Sequence, residues 1–222
     1  MNKALFITAT DTGIGKTFIA AGLGYVAKAK GLSVGVSKPI SCGGIEDAEF
    51  FKNKLKLKDS IDAINPVKFK LPLSPYAAMK KEKKKIDTAK IKRSIRDLIR
   101  ERDIVLVEGL GGAMAPIKND YYVADMIKDL NISCLVIARA GLGTINHTLM
   151  TIAELKKRKI KIMGIILNGF DNKEISQRSN AQVIEELSGI KVIGRIKAKS
   201  SFAGLVKQIN EQRILDKCLK RT

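Results

Sequence analysis

Residues 4–17 read Ala4-Leu5-Phe6-Ile7-Thr8-Ala9-Thr10-Asp11-Thr12-Gly13-Ile14-Gly15-Lys16-Thr17, and a helical pattern follows at once, through Lys30. An apolar, β-rich run that breaks at a glycine turn and re-enters as a helix is the local recipe for holding a phosphate. Glycines let the backbone N–H groups wrap the anion, and the helix N-terminus adds its partial positive charge. A lysine placed as Lys16 is reaches the β- and γ-phosphates, and a hydroxyl placed as Thr17 is ligates Mg²⁺. The strict motif begins with Gly, and here that position is Thr10. The loop is a variant, identified by Gly13, Ile14, Gly15, Lys16 and Thr17 together with its strand–loop–helix setting.

Outward from this loop the chain alternates apolar runs with helical patterns. Strands are predicted at Ala4–Ala9, Ser33–Ser37, Ile104–Glu108, Ser133–Ala138, Lys161–Leu167 and Val192–Ile196. Helices are predicted at Lys16–Lys30, Asp47–Leu57, Thr88–Arg100, Val123–Leu130, Ile145–Lys157, Lys173–Leu187 and Phe202–Leu219. Gly31 and Gly189 suit helix C-termini, and Asp87 suits an N-cap. The stretch Asn65–Lys80, with Pro66, Pro72 and Pro75, reads as an irregular surface loop. Near-continuous Val/Ile/Leu strands belong to a parallel sheet covered on both faces. The predicted fold class is α/β: one doubly wound, mainly parallel sheet with helices on both faces, in a single domain, residues 1–222.

In such sheets ligands gather at the carboxyl ends of the strands, so the residues there are the candidate site. The second strand ends in Ser37-Lys38-Pro39-Ile40-Ser41-Cys42, which places Lys38 beside the phosphate loop or leaves it as a surface lysine. The third ends in Glu108-Gly109-Leu110-Gly111-Gly112, a carboxylate suited to a second Mg²⁺ ligand. Asp47 is a candidate third ligand or a helix cap. Gly141-Leu142-Gly143-Thr144-Ile145-Asn146-His147 opens another helix, whose N–H groups suit an anion such as a carboxylate. Asn168-Gly169 reads a base edge or forms an ordinary turn.

Composition narrows the function. The 222 residues are 45% hydrophobic and 28% charged, the balance of a globular chain. No apolar stretch approaches the roughly 18 residues of a membrane span, and the N-terminal apolar run is too short for a signal peptide. Cys42, Cys134 and Cys218 form no CxxC pair, which points away from disulfides and zinc and toward a cytoplasmic setting. A single histidine, His147, excludes a multi-histidine metal centre. The net charge is +19, but residues 51–100 alone carry 16 basic against 5 acidic side chains, while residues 1–50 carry 5 against 4. The surplus therefore lies in lysine-rich stretches outside the glycine loops. Aromatics are only 5% and none alternate with the lysines as a stacking platform requires. Neither a specific nucleic-acid site nor a membrane partner is expected.

Taken together, Thr10–Thr17, Lys38-Pro39, Val107–Gly112 and Leu142–His147 resemble the dethiobiotin synthase family of ATP-dependent enzymes, over nearly the whole chain. The resemblance implies a homodimer of P-loop domains that uses ATP, Mg²⁺, CO2 and 7,8-diaminononanoate. It implies ATP contacts from Gly13, Ile14, Gly15, Lys16, Thr17, Phe18, Asp47, Glu108, Gly109, Leu110, Gly111, Asn168 and Gly169, with Asn168 at the adenine. Thr17, Asp47 and Glu108 would hold the metal, and Lys16 and Lys38 would be catalytic. Thr12, Lys38 and Cys42 would meet the diamine, and Gly143, Thr144 and Asn146 of the neighbouring subunit its tail carboxylate. Three positions depart from the family pattern: Ala9 for Gly, Cys42 for Ser or Thr, and Lys197 where a proline is usual. A partitioning-type ATPase is the rival reading. Those proteins carry a lysine five positions before the loop lysine, and here that residue is the acid Asp11.

Overall fold

The computed structural model describes residues 3–171 and 174–219. Its elements, in order, are β1 (Lys3–Ala9), α1 (Lys16–Ala29), β2 (Val34–Ser37), β3 (Ile40–Cys42), α2 (Glu46–Leu55), α3 (Ile61–Ile64), β4 (Val67–Phe69) and α4 (Pro75–Lys81). There follow α5 (Thr88–Glu101), β5 (Ile104–Glu108), β6 (Pro116–Lys118), β7 (Tyr121–Tyr122), α6 (Val123–Leu130), β8 (Ser133–Arg139) and α7 (Thr144–Lys157). The last are β9 (Ile162–Phe170), α8 (Ile175–Ser188), β10 (Val192–Lys197), α9 (Phe202–Glu211) and α10 (Ile214–Leu219).

Six strands form one sheet in the order β10-β9-β8-β1-β5-β2, and every pairing in it is parallel. The alternation of β1 explains both covered faces. Leu5, Ile7 and Ala9 pack with α1, α2, α9 and α10, whereas Phe6 faces the layer built by α5, α6, α7 and α8. Each residue from Leu5 to Ala9 is therefore buried, and a strand with two dry faces reads as continuously apolar. The predicted α/β fold with helices on both faces is what the chain adopts. The chain leaves β1 toward β5 and β2 on one side and later toward β8, β9 and β10 on the other. This reversal opens a crevice at the carboxyl end of β1, where the glycine loop begins.

The exposed edge of β10 is closed by glutamines rather than by another strand. Gln212 of the α9 C-cap accepts from Arg195 N and donates to Arg195 O, both at 2.8 Å, and Gln208 accepts from Lys197 N at 2.8 Å. Such side chains satisfy the strand's polar groups and block edge-to-edge pairing.

Three expectations need correction. Asn65–Lys80 is not an irregular loop: it contains β4, which pairs in parallel with β3, and α4. Ser74 caps α4 through Ala77 N and Pro75 occupies its first turn, the position where proline costs nothing. Phe202–Leu219 is two helices, α9 and α10, because Arg213 adopts a left-handed φ of 50°. The predicted Lys161–Leu167 strand runs on to Phe170, so Asn168 and Gly169 belong to β9. The predicted start of the following helix, Lys173, lies outside the described residues, and α8 runs from Ile175. Gly31 and Gly189 do hold positive φ at helix ends, and Asp87 caps α5 through Lys90 N at 2.9 Å.

Candidate active site

The loop after β1 is shaped by Gly13 and Gly15, with φ of 69° and 90°. Gly15 is also the N-cap of α1 and offers no side-chain cap, so the first-turn N–H groups of α1 have no side-chain acceptor from the cap. Lys16 is buried and folds back over the loop, donating to Gly111 O at 2.9 Å and Asp11 O at 3.3 Å.

Strand register brings the other groups to it. Ile7 pairs with Glu108 and Ser37 with Val107, so Lys38, one residue beyond β2, stands beside the Glu108 carboxylate. Asp47 reaches the same point from the first turn of α2. Its N-cap is Ile45, so Asp47 is not the helix cap. The Thr17 hydroxyl lies 2.8 Å from Asp47 Oδ1 and 3.0 Å from Glu108 Oε1. Lys38 Nζ lies 2.6 Å from both Asp47 Oδ2 and Glu108 Oε1. One ammonium thus bridges two carboxylates that a hydroxyl also joins.

Burial makes this cluster electrostatically strong. Glu108 is 1% exposed and Lys38 4%. Burial would lower the Lys38 ammonium, but Glu108 and Asp47 outweigh it and hold the group above its ordinary range. Burial raises Asp47, and the Lys38 charge with the Thr17 hydroxyl reverses this, leaving the carboxyl below its usual value. Glu108 stays raised because burial dominates, with Lys38 opposing. Lys16 is lowered, first by burial, with the Glu108 charge pulling the other way.

These residues share a cleft of about 1020 Å³. Thr12, Gly13, Gly15, Lys16, Thr17 and Phe18 line it from the loop and α1. Lys38, Cys42, Asp47, Glu108, Leu110 and Gly111 line it from the other strand ends. Ile14 is buried beneath the loop, and Gly109 packs against Phe6. Asn168 reaches the loop itself, its Nδ2 donating to Ile14 O at 2.7 Å. Gly169, Gly143, Thr144 and Asn146 are not among the lining residues. His147 is exposed on α7, as befits a surface group.

Sequence reading missed Asn65. It is fully buried, donates to Lys38 O at 2.7 Å and Val67 O at 3.2 Å, and accepts from Ser41 Oγ at 2.7 Å. It fixes the backbone that carries Lys38. The signal was an asparagine before Pro66, which reads from sequence only as a turn.

The oxygen set fits a magnesium ion. Two carboxylates and a hydroxyl are hard donors, and Glu108 Oε2 is buried with no hydrogen-bond partner. Mg²⁺ takes one or two carboxylates and completes its shell with phosphate oxygens and water. Among the described residues no group of three or more His, Cys, Asp or Glu side chains comes together as a metal cage.

The family model described as an AAA domain matches residues 3–203. An ATP-dependent dethiobiotin synthetase BioD from Methanococcus vannielii is 42% identical over 208 residues, covering 93% of this chain and 99% of that protein. One of the same name from Aquifex aeolicus is 42% identical over 188 residues, covering 84% and 86%. The chain belongs to the ATP-dependent dethiobiotin synthetase family. That membership makes it an ATP-dependent ligase. Among solved structures it is similar to the MinD cell division protein of Aquifex aeolicus, with a TM-score of 0.62 and 16% identity over 98% of this chain and 96% of that one. A ParA family ATPase from Chlorobium tepidum TLS gives a TM-score of 0.58 at 14% identity, covering 98% of each chain. At such identities the likeness to MinD and ParA is one of fold. Among the described residues no helix is long and apolar enough to cross a membrane.

Proposed function

We propose that this dethiobiotin synthetase family member joins 7,8-diaminononanoate, CO2 and ATP into dethiobiotin, ADP and phosphate. The observation that carries the reading is the single cleft in which Lys16, Lys38 and the Thr17–Asp47–Glu108 cluster face Cys42 and Thr12. An amine of the substrate attacks CO2, loses a proton and becomes a carbamate. A carbamate oxygen then attacks the γ-phosphorus and ADP leaves with the electrons of the broken P–O bond. The second amine attacks the carbamoyl carbon and loses a proton, phosphate departs with the electrons of the broken C–O bond, and the five-membered ureido ring closes.

The carbamate is an anion beside a triphosphate and the mixed anhydride an anion beside ADP, so catalysis asks for positioning and positive charge. Lys16 folds over the phosphates, and Lys38 sits at the boundary between the carboxylate cluster and the Cys42 side, where the carbamate would lie. Thr17, Asp47 and Glu108 would hold Mg²⁺, which supplies positive charge against the phosphate oxygens. The Gly143–Asn146 segment, which does not line the cleft, would serve a second copy of the chain in a homodimer and hold the substrate's tail carboxylate. Cys42, Cys134 and Cys218, none of them in a disulfide, suit a reducing, cytoplasmic setting, and neither nucleic acid nor membrane enters the scheme. The test is dethiobiotin formation from the diamine and bicarbonate with each nucleoside triphosphate in turn. No product with any of them would overturn the assignment.

A further inference from the structure

Near the carboxyl end of β9, Asn168 holds two separate loops. The main-chain carbonyl of Asn168 accepts from Ala140 N at 2.9 Å, at the head of the Gly141–Gly143 turn. Its side-chain Nδ2 donates to the Ile14 carbonyl at 2.7 Å, across 154 residues of chain. Ile14 lies between Gly13 and Gly15, whose positive φ values turn the loop. A loop that aims its N–H groups at a phosphate turns carbonyls the other way, and a buried carbonyl needs a donor. The fit is close: a Cβ on Gly15 would lie 2.5 Å from Asn168 Nδ2. The contact ties the shape of the phosphate loop to the carboxyl end of β9.

We infer that Asn168 is a positioning residue for the phosphate loop, its amide holding the Ile14 carbonyl outward so that the loop's N–H groups stay aimed at the phosphates. The inference rests on the loop binding phosphate. It differs from a role in reading adenine, because a base reader acts only on ligands that have a base. A brace acts equally on a phosphate chain with none.

Inorganic triphosphate with Mg²⁺ separates the two. Its binding and that of Mg-ATP are measured by calorimetry for the parent, Asn168→Ala and Asn168→Asp, with a melting curve for each. The Asp variant keeps the size and the main-chain bond to Ala140 but sets a carboxylate oxygen against the Ile14 carbonyl. Loss of one hydrogen bond from the cradle is expected to weaken inorganic triphosphate and ATP alike by about tenfold, and the Asp variant more. Lowering the pH toward 5 is expected to narrow the gap between the Asp variant and the parent, because a protonated carboxyl again offers a donor. A merely structural defect would not recover in this way. Unchanged triphosphate affinity in folded variants, or an Asp variant whose deficit does not shrink with pH, would overturn the inference. If the parent itself ignores inorganic triphosphate and ATP, it is the phosphate-loop reading that falls.

Discussion

Replacing Lys38 by methionine keeps the apolar stem and removes the ammonium that lies 2.6 Å from both Asp47 and Glu108. Glu108, 1% exposed, would then be a buried carboxylate facing a second one. Breaking a buried ion pair by removing one partner costs about 3–5 kcal/mol. For a domain of this size each kcal/mol moves the melting temperature by roughly 2–4 °C, so a fall of about 6–20 °C is expected near pH 8. The deficit must depend on pH. A buried carboxylate without its cation takes up a proton more readily folded than unfolded, and burial already raises Glu108 in the parent. A group whose folded pKa is raised favours folding below its unfolded value and loses that advantage as pH rises. The gap between Lys38→Met and the parent is therefore smaller at pH 5 than at pH 8. Scanning calorimetry across that range checks it, and added Mg²⁺ is expected to narrow the gap at pH 8 by replacing the lost positive charge. A variant that melts within about 2 °C of the parent at pH 8, or with the same deficit at both pH values, would refute the bridging role of Lys38.

Other outcomes follow from the same site. Lys16→Ala is expected to lower ATP-dependent turnover on the order of a thousandfold, read in a coupled ADP assay, with melting near the parent's. Asn65→Ala loses hydrogen bonds to the Lys38 and Val67 carbonyls and to Ser41; a cost of about 1–3 kcal/mol is expected, with kcat falling more than the KM for ATP rises. Burial pushes the Cys42 thiol up to about 11, so iodoacetamide should label it slowly at pH 7 and about tenfold faster per pH unit toward 11. Peptide mapping should find Cys42 modified before the buried Cys134 and Cys218, and ATP with the diamine should protect it. Cys42→Ser is expected to keep activity, since a hydroxyl is the better hydrogen-bonding group.

What was legible was whatever local chemistry and sheet topology fix together. A glycine turn between strand and helix announces its ligand, and Lys38 and Glu108 were placed because strand ends in a parallel sheet converge. Asp47 was ambiguous between a cap and a ligand because its partners Thr17 and Lys38 lie on α1 and just beyond β2, a relation only tertiary packing creates. Ser74-Pro75 did carry a helix start, but three-residue strands such as β3 and β4 are too short to show a period. The break between α9 and α10 was hidden, because the apolar pattern continues through it. The position of Gln212, whose side chain is bound to β10, is set by the sheet and not by the helix.

The charges beside the glycine loop set how the cleft would take up nucleotide and metal. Lys16 and Lys38 supply two positive charges, and Asp47 and Glu108 supply two negative ones. These four balance, and the exposed Glu46 adds one further carboxylate to the wall of the cleft. A triphosphate would bring negative charge to Lys16 and the loop, and a divalent ion would bring positive charge to Thr17, Asp47 and Glu108. Lys38 holds the same two carboxylates, so with a divalent ion bound there its ammonium would be held less tightly and would be available to an anion on the Cys42 side. Only one such anion forms in the proposed reaction before phosphoryl transfer, the carbamate. Nucleotide and metal should accordingly raise the affinity for an anionic carbamate mimic, and by reciprocity that mimic should raise the affinity for Mg-ATP by the same factor. Calorimetric titrations in both orders measure the two factors. Independent binding in the parent, with no coupling for Lys38→Gln to abolish, would refute the exchange.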